Sequence, residues 1–299
     1  MTNPIIKVTE LKRHFGKTIA LDGLNFEVPP GSVTGLLGPN GAGKSTTIQI
    51  LIGMLRRHGG NVQVLGQDPE HQEVSIREKT GFVPEDPHFE PRFSVRECLD
   101  FVKSFRPGWD QSLEQDLLSS LDLNVSKKVR SLSRGQRAKL ALISALSFKP
   151  ELLILDDPTS GLDPLARREF NQGIVEVLAS EGKTVFYSSH QVDEIERVAD
   201  RIIMVKEGRL LFAGEIDKIR KSWRLIRLSF PHGEAPGSLQ LPGIRNWNPE
   251  GRSGLVLFNN FNENSKQKLA DLDCQQELLP LSLEDIYVDL ARHGEEVTK

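Results

Sequence analysis

The stretch that most narrows what this chain can fold into is GPNGAGKST, residues 38–46. It matches the pattern G-x-x-x-x-G-K-[ST]. It stands between GSVTGLLG, read as a buried strand, and KSTTIQILIGMLRRHGG, read as a helix. A loop in that setting turns its backbone N–H groups toward a concavity that holds phosphate oxygens. Gly38, Gly41 and Gly43 permit backbone shapes and close approaches that side chains would block. Pro39, Asn40 and Ala42 complete the loop, Lys44 brings a cation to the β- and γ-phosphates, and the Ser45 hydroxyl is placed to ligate Mg2+. Arg56 and Arg57 form a basic last turn suited to the negative end of the helix dipole, and Gly59 and Gly60 are expected to end the helix.

A second feature fits the first. In LLILDDPTSGLDP, residues 152–164, an apolar run ends in two adjacent carboxylates. Asp156, at the carboxyl end of a buried strand, is placed to face the Mg2+ site. Asp157 beside it suggests a base for activating water, with a short reach for that task.

Around these motifs the chain alternates between strands and helices. IIKVTEL and TIALDGLNFEV read as strands, and residues from about 92 to 149 read as helical. Val95, Cys98, Leu99, Val102 and Phe105 share one helical face, Leu113, Leu117 and Leu121 mark a second helix, and GQRAKLALISALSF marks a third. ELLILDD and TVFYSSH read as strands, with a helix over 164–182 between them that Gly182 ends. Continuous apolar strands alternating with helices indicate a parallel sheet covered on both faces. Near residue 220 the character changes. WRLIRLSF and GLVLFNN read as strands, ENSKQKLADLD as a short helix, and SLEDIYVDLARHG as a final helix with a capping box of Ser282 and Asp285.

Composition removes several classes of partner. A formal net charge of −3 gives no prior for nucleic acid or an anionic membrane surface. The two cysteines, Cys98 and Cys274, are too far apart in sequence for a metal-ligand pattern and read as idle thiols of a reducing cytosol. No apolar run approaches the length of about 18 residues that a membrane-spanning helix needs. The start, MTNPIIKVTELKRHF, lacks the pattern of a signal peptide. Any membrane role is therefore expected to come through a partner.

LSRGQ at 132–136, followed by a helix and then by LLILDDPTSGLDP, resembles the signature motif and Walker B segment of ATP-binding-cassette (ABC) ATPases. The order of Walker A loop, signature, Walker B, SGLD and SSH also fits, over about residues 5–220. The resemblance implies a P-loop NTPase of ABC type in residues 1–220: a parallel-sheet core, an antiparallel β subdomain and a helical subdomain at about 90–149. Residues 221–299 are then a small C-terminal α+β accessory domain. It further implies two such domains, as a homodimer or with a different cassette ATPase, clamping ATP and Mg2+ head to tail. Each nucleotide would meet Lys44, Ser45 and Thr46 of one protomer and Ser133, Gly135 and Gln136 of the other. Phe15 sits where the family places an aromatic ring against adenine, and His190 resembles the switch histidine at the γ-phosphate. Asp163 resembles the residue that ties one active site to the other.

Three positions depart from the family pattern. Arg134 stands where glycine is common, a change expected to be tolerated with the side chain pointing outward. Glu85, in GFVPE, replaces a glutamine that touches Mg2+ and lies in the loop sensing the membrane partner. Asp157 replaces the glutamate that orients the attacking water, and is one methylene, about 1.5 Å, shorter. Misplacing a catalytic group by about 1 Å costs on the order of a hundredfold, so slow but real hydrolysis is expected. The C-terminal segment ending in SLEDIYVDL resembles the bacterial exporter branch that includes antibiotic-resistance transporters. That branch encodes the ATPase apart from its transmembrane permease, so the expected location is the cytoplasmic face of the membrane. A soluble cassette acting on DNA or the ribosome, and a non-hydrolysing ATP switch, are the competing readings. Against the first, only about ninety residues separate Walker A from the signature, with no room for a long coiled coil, and the chain carries one cassette.

Overall fold

The computed structural model describes residues 3–164, 166–171 and 183–293. It divides into two compact units, one up to Ala213 and one from Gly214 on, a few residues before the change of character near 220.

The first unit holds two sheets. In the smaller one, β1 (Ile6–Phe15) pairs antiparallel with β2 (Thr18–Val28) on one side and β4 (Gly59–Val64) on the other. The larger has six strands in the order β5-β6-β7-β3-β8-β9: Thr80–Val83, Leu152–Asp156, Thr184–Ser189, Val33–Leu37, Arg201–Lys206 and Arg209–Glu215. Strands β5, β6, β7, β3 and β8 run parallel. β3, β6 and β7 are buried along their whole length, which accounts for their unbroken apolar runs. Because the chain leaves β3, β6 and β7 at the same end, the loops after Leu37, Asp156 and Ser189 converge there, where ligands bind in parallel α/β sheets.

The helix α1 (Lys44–Leu51) lies in the core shared by both sheets. Ile48, Ile50 and Leu51 are fully buried there, and Phe26 of the small sheet stacks on Phe186 of the large one with ring centroids 5.8 Å apart. The helix ends earlier than its sequence suggests. Gly53 takes φ 68°, Met54 N–H donates to Gln49 O at 2.8 Å, and Gly53 N–H donates to Ile50 O at 3.0 Å. This is a Schellman stop, which requires glycine at the left-handed position. A Cβ there would meet Glu73 Cβ at 2.5 Å and Pro69 O at 2.6 Å. Gly59 and Gly60 therefore begin β4 rather than end the helix. Arg57 forks onto Asp68, with Nη1 and Nη2 donating at 2.8 and 2.7 Å, instead of serving a helix terminus.

The helical segment comprises α2 (Glu73–Lys79), then α3 (Val95–Lys103), α4 (Gln111–Ser120), a 3-10 turn at Val129–Ser131 and α5 (Arg134–Leu146). On the α3 face, Val95, Cys98 and Leu99 are buried, but Phe105 lies beyond the helix and is 67% exposed. Of the helix expected over 164–182, residues 166–171 are helical; residues 172–182, with the Gly182 stop, lie outside the described residues. α6 (Val192–Val198) follows β7 and packs on β3.

The second unit is a four-stranded antiparallel sheet, β11-β12-β10-β13 (Ile244–Glu250, Ser253–Phe258, Arg224–Ser229, Gln275–Leu279), with helices α7 (Ile216–Ser222), α8 (Glu263–Ala270) and α9 (Leu283–His293). Its core is Ile226, Leu228, Val256, Phe258 and Leu269. The Ser282 capping box is formed, with Asp285 N–H donating to Ser282 Oγ and Ser282 N–H to Asp285 Oδ2, both at 3.1 Å. Leu283, Ile286 and Leu290 are fully buried. Among the described residues no helix is long and apolar enough to cross a membrane.

Candidate functional site

The loop after β3 curls over its own carbonyls. Ala42 N–H donates to Pro39 O at 3.1 Å, and the Lys44 ammonium donates to Gly38 O at 2.7 Å and Pro39 O at 3.1 Å. Gly43 has φ 101°, and a Cβ there would lie 2.6 Å from Leu21 Cδ2 and 2.7 Å from Ala20 O, so only glycine lets the loop approach β2. Lys44 is buried, which lowers its pKa, while Asp157, Asp156 and Glu85 pull the other way. A buried ammonium facing three carboxylates and held on carbonyl oxygens is a cation poised for an anion.

Asp156 ends β6 almost fully buried. Its Oδ1 accepts from Ser45 Oγ at 3.2 Å and Ser188 Oγ at 2.8 Å. Burial raises its pKa, and those two hydroxyls oppose the rise. Asp157 takes φ 42°, the left-handed region that aspartate enters more readily than most residues. Its N–H donates to Ser188 Oγ at 2.9 Å. One carboxylate oxygen, Oδ2, meets His190 Nδ1 at 2.7 Å, so with the carboxylate ionised that nitrogen carries the proton. The other, Oδ1, is buried with no hydrogen-bond partner in the protein. Burial raises the Asp157 pKa against the pull of His190 and Lys44.

A cleft of about 450 Å³ gathers Phe15, Thr18, Ile19, Ala20, Asn40, Gly41, Gly43, Lys44, Ser45, Thr46, Glu85 and Asp157. Phe15 is 47% exposed at this cleft rather than part of the core, and the Arg13 guanidinium lies 4.6 Å from its ring centre. Ser133, Gly135, Gln136 and Asp163 do not line the cleft. Ser133 and Gln136 close a capping box at the start of α5, with Gln136 N–H donating to Ser133 Oγ at 3.1 Å. Asp163 Oδ1 accepts from Ala166 N–H at 2.9 Å.

The three departures from the family pattern converge on one turn. Asp157 opens it, Ser160 Oγ donates to Glu85 Oε1 at 3.0 Å, and the Arg134 guanidinium lies against Gly161. Arg134 therefore does not point outward as expected. It folds back onto the SGLD turn, because glycine at 161 leaves a flat surface for it. The sequence reading also passed over Glu194, which sits beneath the same turn. A carboxylate four residues after His190, flanked by the buried run TVFYSS, was the available signal.

The family model described as "ABC transporter" matches residues 21–160. A second model, described as "AAA domain, putative AbiEii toxin, Type IV TA system", matches 128–196. The Nod factor export ATP-binding protein I of Paraburkholderia xenovorans is 35% identical over 219 residues, 72% of each chain. The chain belongs to the ATP-binding subunits of ABC transporters. Another such subunit, the lantibiotic transport ATP-binding protein SrtF of Streptococcus pyogenes, is 34% identical over 71% of this cassette chain and 92% of its own. Among solved cassette structures, one titled as the ATP binding subunit of an ABC transporter superposes with a TM-score of 0.65 at 27% identity, over 73% of this chain and 92% of that one. The cbiO1 protein of Clostridium perfringens, described as part of the complex cbiONQ, gives 0.63 at 29% identity, over 73% and 90%. These likenesses show an ABC ATPase, an enzyme that hydrolyses ATP.

Proposed function

We propose that this subunit powers an exporter by closing as a cassette dimer on ATP, and that its hydrolytic step is slowed by Asp157. The observation that carries this reading is the unpartnered buried Oδ1 of Asp157, in a carboxylate that lines the cleft with Lys44. Phe15 stacks the adenine, the loop 38–46 cradles the phosphates, and Lys44 moves from the loop carbonyls to the β- and γ-phosphates. Asp157 Oδ1 accepts a hydrogen bond from water. That water's oxygen bonds to the γ-phosphorus as the bond to the β–γ bridging oxygen breaks, giving ADP and phosphate. His190, oriented by Asp157 Oδ2, lies at the γ-phosphate. Reaching across from the partner cassette, Ser133, Gly135 and Gln136 complete the site, and Asp163 links the two sites. The partner is a second copy or a sister cassette.

The donors fit Mg2+. Ser45 Oγ and the Asp156 carboxylate meet at 3.2 Å, Glu85 lines the cleft with Ser45, and these three side chains, all hard oxygens, would hold the ion. Among the described residues no group of three His, Cys, Asp or Glu forms a metal cage. That suits an ion completed by phosphate oxygens and water. When bound, Mg2+ neutralises charge between the phosphates.

The exporter assignment rests on what the relatives are named for: Nod factor export and lantibiotic transport. The transmembrane permease docks just past Glu85, where a groove of about 530 Å³ is lined by His88, Phe89, Glu90, Arg92, Phe93, Cys98, Phe101 and Val102. Phe101 is 57% exposed and meets Phe105 edge to face at 5.2 Å, an apolar patch suited to a short partner helix. The chain thereby works at the cytoplasmic face of the membrane, without nucleic acid, and residues 221–299 act as an accessory domain. The test is the oligomeric state of the Asp157→Asn protein with ATP and Mg2+, measured by light scattering alone and with the permease complex. Dimers that Ser133→Arg abolishes support the reading; monomers under every condition overturn it.

A further inference from the structure

Glu194 of α6 is 3% exposed and does not line the cleft. Its Oε2 accepts three hydroxyl hydrogen bonds: from Thr159 Oγ1 at 2.8 Å, from Tyr187 OH at 2.8 Å and from Ser189 Oγ at 2.7 Å. Its Oε1 stands 3.1 Å from Arg167 Nε, an ion pair without hydrogen-bond alignment. Arg167 in turn donates through Nη1 to Gln191 Oε1 and through Nη2 to Leu162 O at 3.4 Å.

Two of these partners adjoin the proposed catalytic groups. Thr159 lies in the turn that Asp157 opens, and Ser189 immediately precedes His190 and also accepts from Gln191 N–H at 3.0 Å. A buried carboxylate is costly unless its lone pairs are filled. The hydroxyls that fill them come from the Asp157 turn (Thr159) and from β7, whose last residue Ser189 directly precedes His190, so the turn and the start of the His190 loop are drawn to one fixed point. Arg167 repeats the link on the far side, through Leu162 and Gln191.

We propose that Glu194 is a positioning residue that holds the Asp157–Asp163 turn and the His190 loop in register, so that Asp157 Oδ2 and His190 Nδ1 meet. The proposal rests on the hydrolytic reading of Asp157 and His190. Tyr187 provides the internal control: it bonds the same oxygen at 2.8 Å from within β7, three residues before His190 rather than directly beside it.

Steady-state ATP turnover and nucleotide binding by the purified full-length subunit test it. Glu194→Gln is expected to lower kcat by about tenfold or more while KM for ATP stays within about twofold, since the phosphate cradle is untouched. Thr159→Val and Ser189→Ala, each removing one loop tether, are expected to lower kcat by roughly three- to tenfold, and Tyr187→Phe by less than about twofold. Should Glu194→Gln fail to fold, the two tether variants decide. The proposal is overturned if Glu194→Gln keeps wild-type kcat. It is equally overturned if Tyr187→Phe slows turnover as much as the tether variants do, which would mark a packing effect. Lys44→Ala separates the two layers: if it leaves turnover intact, the hydrolytic reading itself falls, whereas its inactivity beside an active Glu194→Gln removes only the positioning role.

Discussion

The two sheets at either end of the chain handle polar groups in opposite ways. In the six-stranded sheet and its connecting loops, Lys44, Asp156, Asp157, Thr159, Ser188, Ser189 and Glu194 are all buried around the ends of three parallel strands. In the four-stranded antiparallel sheet the core is apolar, and among the described residues the buried polar ones of that unit are Ser265 and Asp289, both partnered. Burying charge costs several kcal/mol per ion even after relaxation, so a cluster of buried carboxylates and an ammonium persists where chemistry needs it. The contrast separates a sheet with a buried polar cluster at its strand ends from one packed on an apolar core.

Perturbing each sheet in turn breaks or sharpens that contrast. The largest effect is expected from Lys44→Ala, which should cut ATP turnover by about a hundredfold or more, in a phosphate-release assay, with little change in melting temperature. Leu228→Ala in the second core should do the reverse. Leu228 is fully buried, so the cavity should cost about 2–4 kcal/mol in a denaturant melt while ATP affinity stays unchanged. If Leu228→Ala weakened nucleotide binding, the two sheets would not be separable.

A smaller effect is expected at Asp68, whose carboxyl is lowered from 3.8 to about 2 by the Arg57 guanidinium. A lowered carboxylate pKa stabilises the fold above the unfolded value. That stability should be complete above about pH 4 and vanish as the pH falls from 3.8 toward 2. Asp68→Asn should remove about 1 kcal/mol or less at neutral pH and flatten the acid limb, as read from urea midpoints against pH.

Much of the reactive sheet was legible because its signals are local. A glycine-rich loop followed by Lys44 and Ser45, or an apolar run ending in Asp156, carries its physics within a few residues. The Ser282–Asp285 cap was legible for the same reason. The helix end at Gly53 was not: the amphipathic run continues through Leu55, and the stop depends on Pro69 and Glu73 crowding from elsewhere in the chain. Strands β11 and β13 were missed because they are sheet edges. β13 is exposed at almost every position, so no alternation of apolar and polar residues betrays it. Arg134 was not legible because the turn it lies against, at Gly161, is 27 residues away along the chain, and the link from Glu194 to the Asp157 turn was not because Thr159 stands 35 residues from it.

The central claim is that the shortened carboxylate still works. Phosphate release at saturating ATP and Mg2+ should be measured side by side for wild type, Asp157→Glu and Asp157→Asn. The account predicts slow but measurable release by wild type, release at least as fast by Asp157→Glu, and near-background release by Asp157→Asn. A wild type as inactive as Asp157→Asn, with no gain from Asp157→Glu, would contradict it.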